Sequence, residues 1–253
     1  MDKTLLKGLM VLESITEAEN RARTVDEVAA RVGLTRSNTH RTLQTLMHAG
    51  YIEKDVNNGY RGTIKLMGLG VRQLARLDVR QFAAPFMHAL ADATGETVHL
   101  SVLDGIDVVY IDKIDSPQPV RAYSMVGGRA PAYAVATGKA LLAHAPEGYL
   151  ERYAAQLTLH TPRTAGTLAA LEAELAQTAR TGYAVNTGEW RDGVGGIASA
   201  VFDGLDRPIA ALGISGPIGR LPASRIAELA PLVVHNANQL SQAMGARCIP
   251  RAA

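Results

Sequence analysis

The stretch Thr24-Val25-Asp26-Glu27-Val28-Ala29-Ala30-Arg31-Val32-Gly33-Leu34-Thr35-Arg36-Ser37-Asn38-Thr39-His40-Arg41-Thr42-Leu43-Gln44-Thr45-Leu46-Met47-His48-Ala49-Gly50 decides the architecture of the first part of the chain. Thr24 and Glu27 form a capping box, in which hydroxyl and carboxylate each satisfy a backbone donor left free at a helix start. Val28, Ala29 and Val32 carry that helix to Gly33, a residue suited to the left-handed position that ends it. Thr35 restarts the chain as an N-cap. Leu43, Leu46 and Met47 then form the inner stripe of a further helix that stops at Gly50. Helices joined across Gly33-Leu34 make a helix-turn-helix.

The flanks refine this reading. Upstream, Leu5, Leu9, Leu12 and Ile15 recur at helical spacing, and the polar run from Asn20 to Arg23 interrupts them. Downstream, Tyr51-Ile52-Glu53-Lys54 reads as a strand, Asn58-Gly59 as a hairpin turn and Tyr60-Arg61-Gly62-Thr63 as the returning strand. A helix-turn-helix followed by a basic hairpin is a winged helix. The helix opened by Thr35 presents Arg36, Ser37, Asn38, Thr39, His40, Arg41, Thr42 and Gln44, an almost unbroken polar stretch. A helix N-terminus favours phosphate, Arg pairs bidentately with guanine, and Asn or Gln with adenine. Arg36, Ser37, Thr39 and His40 are expected at or near base edges, and Arg41 and Thr42 on phosphate. Arg61 on the wing is expected at the backbone or the neighbouring minor groove. His40 taken alone also fits an ordinary solvated surface residue; the constellation carries the argument.

The whole chain has 253 residues, 26 Lys+Arg against 24 Asp+Glu, and 47% hydrophobic residues. That length suggests a small domain joined to a larger one. The charge is uneven: residues 1–77 hold 12 basic and 8 acidic side chains, residues 78–253 hold 14 and 16. A basic first part on a mildly acidic body suits a nucleic-acid reader with a separate sensing domain, although a solvated basic face would give the same balance. The one cysteine, Cys248, leaves no disulfide framework and no thiolate-rich metal site. No apolar run reaches the ~20 residues of a membrane span. Met1-Asp2-Lys3-Thr4 opens no apolar signal core, so a cytoplasmic protein without membrane contact is expected.

Several motifs taken in order resemble the IclR family of bacterial transcription regulators. In the N-terminal part they are Thr24 to Ala29, Arg41-Thr42-Leu43-Gln44-Thr45-Leu46 and Gly50-Tyr51-Ile52. The resemblance continues through Gly95-Glu96-Thr97-Val98-His99-Leu100, Asp107 to Ile114, Val126-Gly127, Ala130-Pro131 and Thr137-Gly138-Lys139-Ala140-Leu141-Leu142-Ala143. It ends in Gly182-Tyr183-Ala184-Val185-Asn186, Glu189 and Ile197-Ala198-Ser199-Ala200-Val201-Phe202-Asp203. The resemblance implies an α+β chain with a winged helix-turn-helix at 1–65, a linker helix at 66–79 and a GAF-like α/β effector-binding and oligomerisation domain at 80–250. It implies a homodimer or a dimer of dimers, double-stranded operator DNA and a small-molecule effector as partners, and no cofactor. The residue patterns agree: Leu66, Leu69, Leu74 and Leu77 have helical spacing, and Val98, Leu100 and Val102 alternate as a strand. Leu168, Leu171 and Leu175 mark a helix, and Ile226 to Met244 a last one in which Pro231 predicts a kink or break.

The family's effector site implies Tyr133, Ala136, Thr137, Asn186, Gly196, Ile197, Gly213 and Ser215 as contacts here. Members that bind small oxoacids resemble one another in using Asp, Cys and serines at such places. This sequence instead has Asn186, Gly196 and Gly213, which removes a charge and side-chain volume. A roomier, less anionic pocket is the expectation, suited to an aromatic or other bulky carboxylate, with a catabolic operon under control. The alternatives are a small oxoacid signalling central metabolism, or DNA binding with no ligand. Ser215 also reads as a turn residue, and His99 as a strand histidine rather than a ligand.

Catalytic readings find little support. Gly138-Lys139-Ala140 has the Gly-Lys of a P-loop, but Ala140 lacks the metal-binding hydroxyl and Tyr133 replaces the first glycine. Gly213-Ile214-Ser215-Gly216-Pro217 begins like a nucleophile elbow and ends in proline. No enzymatic activity and no metal site are expected.

Overall fold

The computed structural model describes the backbone of residues 2–16, 21–74 and 78–246, with all their side chains except those of 70–74 and 78. Asn20, Leu77, Cys248 and the side chain of Leu74, all used in the sequence reading, lie outside the described residues. The chain divides into two compact units, Met1–Arg76 and Leu77–Ala253.

The first unit runs α1 (Lys3–Thr16), α2 (Val25–Val32), α3 (Arg36–His48), β1 (Ile52–Lys54), β2 (Tyr60–Gly62) and α4 (Ile64–Leu74). The capping box of Thr24 and Glu27 forms, and Gly33 closes α2 at φ 66°. Val11, Ile15, Val28, Leu43, Ile52 and Tyr60 make the core. On α1 the buried face is Val11, Ser14 and Ile15, whereas Leu5 and Leu9 are 62% and 47% exposed. The spacing therefore divides: Leu12 and Ile15 reach the core, while Leu5 and Leu9, with Leu6 and Met10, form an apolar face that is exposed among the described residues.

The hairpin differs from the tight turn expected at Asn58-Gly59. Only Asn58 is left-handed, at φ 60°. The Asp55 carboxylate accepts the backbone N–H of Asn57 at 2.9 Å and of Gly59 at 2.7 Å, which holds a longer loop. Gly59 serves close approach instead: a Cβ there would lie 2.6 Å from that of Ala22, beside the bridge between Arg23 and Tyr60.

The second unit opens with α5 (Asp78–Thr94) and continues β3 (Thr97–Asp104), β4 (Asp107–Ile114), β5 (Arg129–Pro131), α6 (Ala136–Leu142) and α7 (Leu168–Thr181). It ends with β6 (Ala184–Thr187), β7 (Val194–Phe202), β8 (Pro208–Pro217) and α8 (Ala223–Ala243). One antiparallel sheet takes the order β5-β4-β3-β8-β7-β6. α5 packs on β3 and β4, α8 on β7 and β8, and the two helices on each other. α6 lies against β3, β7 and β8. α8 is unbroken: Pro231 sits on its exposed side, and burial of Leu229, Val233, Ala237 and Leu240 outweighs the one backbone hydrogen bond a proline removes.

Gly138 lets α6 come down on the turn before it. A Cβ at this position would fall on the backbone of Ala132, which cannot give way as a side-chain end could. Gly138→Ala should destabilise the protein by about 1–3 kcal/mol through overpacking, read as a lower urea midpoint at unchanged slope.

Candidate DNA-reading surface and effector pocket

Thr35 caps α3 through its side chain, which accepts the Asn38 N–H. Arg36, Ser37, Asn38, His40, Arg41 and Gln44 are exposed, and Thr42 is half-buried. Thr39 departs from the expected reading face. It is wholly buried and its hydroxyl donates to the Thr35 carbonyl at 3.0 Å, because a position three residues beyond Arg36 and four before Leu43 turns into the core. Its side chain packs the helix and does not face outward. Gln44 and His40 stand 3.4 Å apart on one helical ridge.

The arginines are not bare. Arg36 pairs with Asp26 from the first turn of α2 at 2.5 Å, and Arg61 pairs with its cross-strand neighbour Glu53 at 2.8 Å. Both pairs are exposed, so each is held weakly. Lys65 donates to the Ala49 carbonyl at 2.6 Å, near the end of α3, and lies over the Tyr51 ring. Arg41 has no side-chain partner among the described residues.

A pocket opens in the second unit where the first residues of α6 meet β3, β4 and the ends of β6, β7 and β8. Ala136, Thr137, Asn186, Gly196 and Ser215 line it, as the sequence suggested. Asn186, Gly196, Ser215 and Thr97 are successive register partners across β6, β7, β8 and β3. Asn186 Oδ1 accepts the N–H groups of Gly188 at 2.9 Å and Glu189 at 3.0 Å, so this side chain builds the turn that follows β6.

Tyr133, Ile197 and Gly213 do not line the pocket. The Tyr133 hydroxyl lies 2.9 Å from His160 and 3.1 Å from Thr158, pinning a loop. Strand alternation turns Ile197 to the side of β7 opposite Gly196. Gly213 faces a packed neighbour: a Cβ there would be 2.5 Å from that of Ala198. A Cβ on Gly196 would be 2.7 Å from the Ile214 carbonyl. The glycines thus admit close strand packing rather than a larger ligand. The cavity is about 50 Å³, room for a few water molecules, which corrects the expectation of a roomier site.

The remaining wall consists of residues that the sequence reading missed: His99, Tyr110, Tyr123, Ser124, Trp190 and Arg191. His99 carried a signal, being a histidine amid the apolar alternation of β3 on the same strand face as Thr97 and Ser101. It is 4% exposed, with Nε2 at 2.6 Å from Ser124 Oγ and Nδ1 at 3.3 Å from Ser215 Oγ. Burial, aided by the nearby Lys113 charge and opposed by Asp115, pushes its pKa from 6.5 down to about 4. Burial likewise pushes the Tyr110 hydroxyl up to about 12.

Behind this wall Lys139 is almost wholly buried, with Nζ at 2.5 Å from Glu189 and 2.9 Å from Glu174. Burial raises the Glu189 pKa despite the opposing attraction of Lys139. The Glu189 carbonyl accepts from the Thr164 and Thr161 hydroxyls. Asn186, Trp190 and Arg191 are therefore carried on a turn tied from several sides.

A winged helix-turn-helix with an exposed polar reading helix, followed in the same chain by a pocket-bearing antiparallel α/β domain, is the build of a DNA-binding regulator with its own ligand-binding domain. Comparison with known proteins agrees over nearly the whole length. Residues 4–56 match the IclR helix-turn-helix domain, and residues 71–242 match the bacterial transcriptional regulator IclR C-terminal domain. The HTH-type transcriptional regulator XynR of Escherichia coli K12 is 35% identical over 94% of this chain and 96% of its own. KdgR of the same organism is 34% identical over 96% and 92%. A solved IclR homologue from Microbacterium hydrocarbonoxydans, complexed with 4-hydroxybenzoate, superposes with a TM-score of 0.82 at 25% identity, covering 96% of this chain and 99% of that one. The chain belongs to the IclR family of bacterial transcriptional regulators. Among the described residues no helix is long and apolar enough to cross a membrane.

The buried imidazole ties stability to pH. His99 binds a proton more readily unfolded than folded, so stability is complete above pH 6.5 and falls as pH drops toward about 4. The wild type should lose about 3 kcal/mol across that window relative to His99→Gln, measured by urea denaturation at each pH.

Proposed function

We propose that the protein is an effector-controlled regulator whose α3 enters the major groove of a roughly palindromic operator. Arg36, Ser37, Asn38, His40 and Gln44 approach base edges, while Arg41 and Thr42 contact phosphate and Arg61 reaches the backbone or minor groove from the wing. The observation that carries this reading is the exposed polar face of α3, which stands over a helix-turn-helix core and beside a basic wing. A homodimer accounts for the open apolar face of α1 and for Ile64 and Met67 of α4, which are 78% and 62% exposed. Residues 66–79 act as its linker, and the cytoplasm is its site of action.

For the effector we propose an aromatic or other bulky carboxylate, the signal for a catabolic operon. Tyr110, Tyr123 and Trp190 in the lining and the exposed Arg191 support this, as does the 4-hydroxybenzoate held by the Microbacterium homologue. The small volume of about 50 Å³ favours a second reading, a two- or three-carbon oxoacid. A thermal-shift screen decides between them. Stabilisation by hydroxybenzoates but not by glyoxylate or pyruvate supports the first reading, and the reverse supports the second.

Operator binding tests the reading surface. Arg36→Ala should cost about 1–3 kcal/mol and relax preference at one operator position. Arg61→Ala should weaken all sequences alike and flatten the dependence of affinity on salt. Wild-type affinity and salt slope in both variants would show that the reading surface lies elsewhere.

A further inference from the structure

Arg191 and His99 divide the pocket by charge. Arg191 is exposed, lies 4.3 Å from the Trp190 ring, and has no carboxylate partner among the described residues. His99 is buried, with Tyr110 tilted against it at 4.6 Å between ring centroids. The charged groups facing His99 are Lys113, its register partner on β4, and Asp115 just beyond that strand. Lys113 is already engaged, at 3.0 Å from the Asp115 carboxylate and 2.7 Å from the Ser124 carbonyl.

A carboxylate placed against His99 would thus be a buried charge beside an uncharged ring, with the nearby cation, Lys113, already engaged. A hydroxyl or carbonyl oxygen has no such difficulty. The imidazole and the two serines offer donors and acceptors that rotate to suit a neutral partner. The Ser124 contact is short at 2.6 Å and the Ser215 contact longer at 3.3 Å, so the Nδ1 side is where a ligand oxygen enters most easily.

We propose that His99, with Ser215, is a specificity-determining residue that reads a neutral hydroxyl or carbonyl oxygen on the effector, while the effector's carboxylate stays at Arg191. The inference rests on the carboxylate-effector reading above and holds for either size of acid. The lowered pKa of His99 agrees with it, since the ring is uncharged at neutral pH.

The test is calorimetric titration of the full-length protein with matched pairs, benzoate against 4-hydroxybenzoate and propionate against pyruvate. In the pair that binds, the oxygen-bearing acid should bind at least about tenfold tighter, with no net proton uptake when buffers of different ionisation heat are compared. His99→Phe should reduce that preference to within about twofold, and His99→Gln, which keeps a donor and an acceptor, should retain part of it. Arg191→Gln should weaken both members alike, by about tenfold, and leave the preference intact. A preference that survives His99→Phe, or uptake of nearly one proton on binding, would overturn the inference and leave the carboxylate effector standing. So would wild-type binding without preference, which needs no variant to fold. If none of the four acids binds the wild type, the carboxylate reading falls and this inference falls with it.

Discussion

Lys139 carries an ammonium group into the interior of the second unit, where Glu189 and Glu174 receive it. Removing such charges from water is expensive, and their mutual attraction repays it only when geometry and remaining hydrogen bonds are good. Both conditions hold at Glu189, which also accepts the Thr187 N–H while its carbonyl accepts from two threonines. What the pair supplies is position more than stability. It fixes the turn after β6 to α6, and that turn carries Asn186, Trp190 and Arg191 into the pocket. Gly138 belongs to the same constraint, because only a bare α-carbon lets α6 approach Ala132 closely enough to deliver Lys139. Losing Lys139 would leave the buried Glu189 carboxylate without a cation, whereas losing Glu189 would leave Lys139 with the half-exposed Glu174 alone.

The first unit handles charge in the opposite way. Arg36 and Arg61 stay in water, each beside a carboxylate, at 70% and 60% side-chain exposure. Exposed pairs of this kind contribute at most about 1 kcal/mol, so a phosphate or a guanine edge can replace the carboxylate at little cost. Asp26 and Glu53 also lower the local positive potential that would otherwise draw the unit to any duplex.

The local signals that sequence carries well are those confined to a few neighbouring residues. The capping box at Thr24, the left-handed Gly33 and the N-cap at Thr35 all form as their residue types dictate. Periodicity is less decisive, since of the spaced residues on α1 Leu12 and Ile15 reach the core while Leu5 and Leu9 stay exposed among the described residues. Thr39 is hard to place because a run of polar residues hides which one turns inward, and only the position of Leu43 in the core settles it. The pocket was half legible. Motifs locate Thr137, Asn186 and Ser215, but the sequence does not show that the space beside Gly213 is filled by Ala198 and that beside Gly196 by the Ile214 carbonyl. His99, Ser124 and Arg191 come from separate segments, and their convergence depends on sheet register, which no local window contains.

The size of the cavity bears on how an effector could act at all. A ligand shifts an equilibrium between two arrangements only by its difference in affinity for them. An acid that fits about 50 Å³ without moving anything has little basis for such a difference. The outer wall, Ala122–Ser124, is where one can arise. It is fastened by Ser124 to His99 and Lys113, and nearby by the Val120 carbonyl to Arg220. The contact with the neutral His99 ring is worth about 1 kcal/mol net, and those from the Lys113 and Arg220 cations about 1.5–3 kcal/mol each. Burying about 100 Å² of a ring against Tyr110 and Trp190 would return about 2.5 kcal/mol. Opening all three contacts would cost about 4–7 kcal/mol, more than the ring returns, so a bulky ligand must replace part of them with polar contacts of its own. On the proposed reading, a bulky acid would be coupled because it must displace this wall, whereas a small one would be coupled only if the wall held it more tightly in one arrangement than in the other.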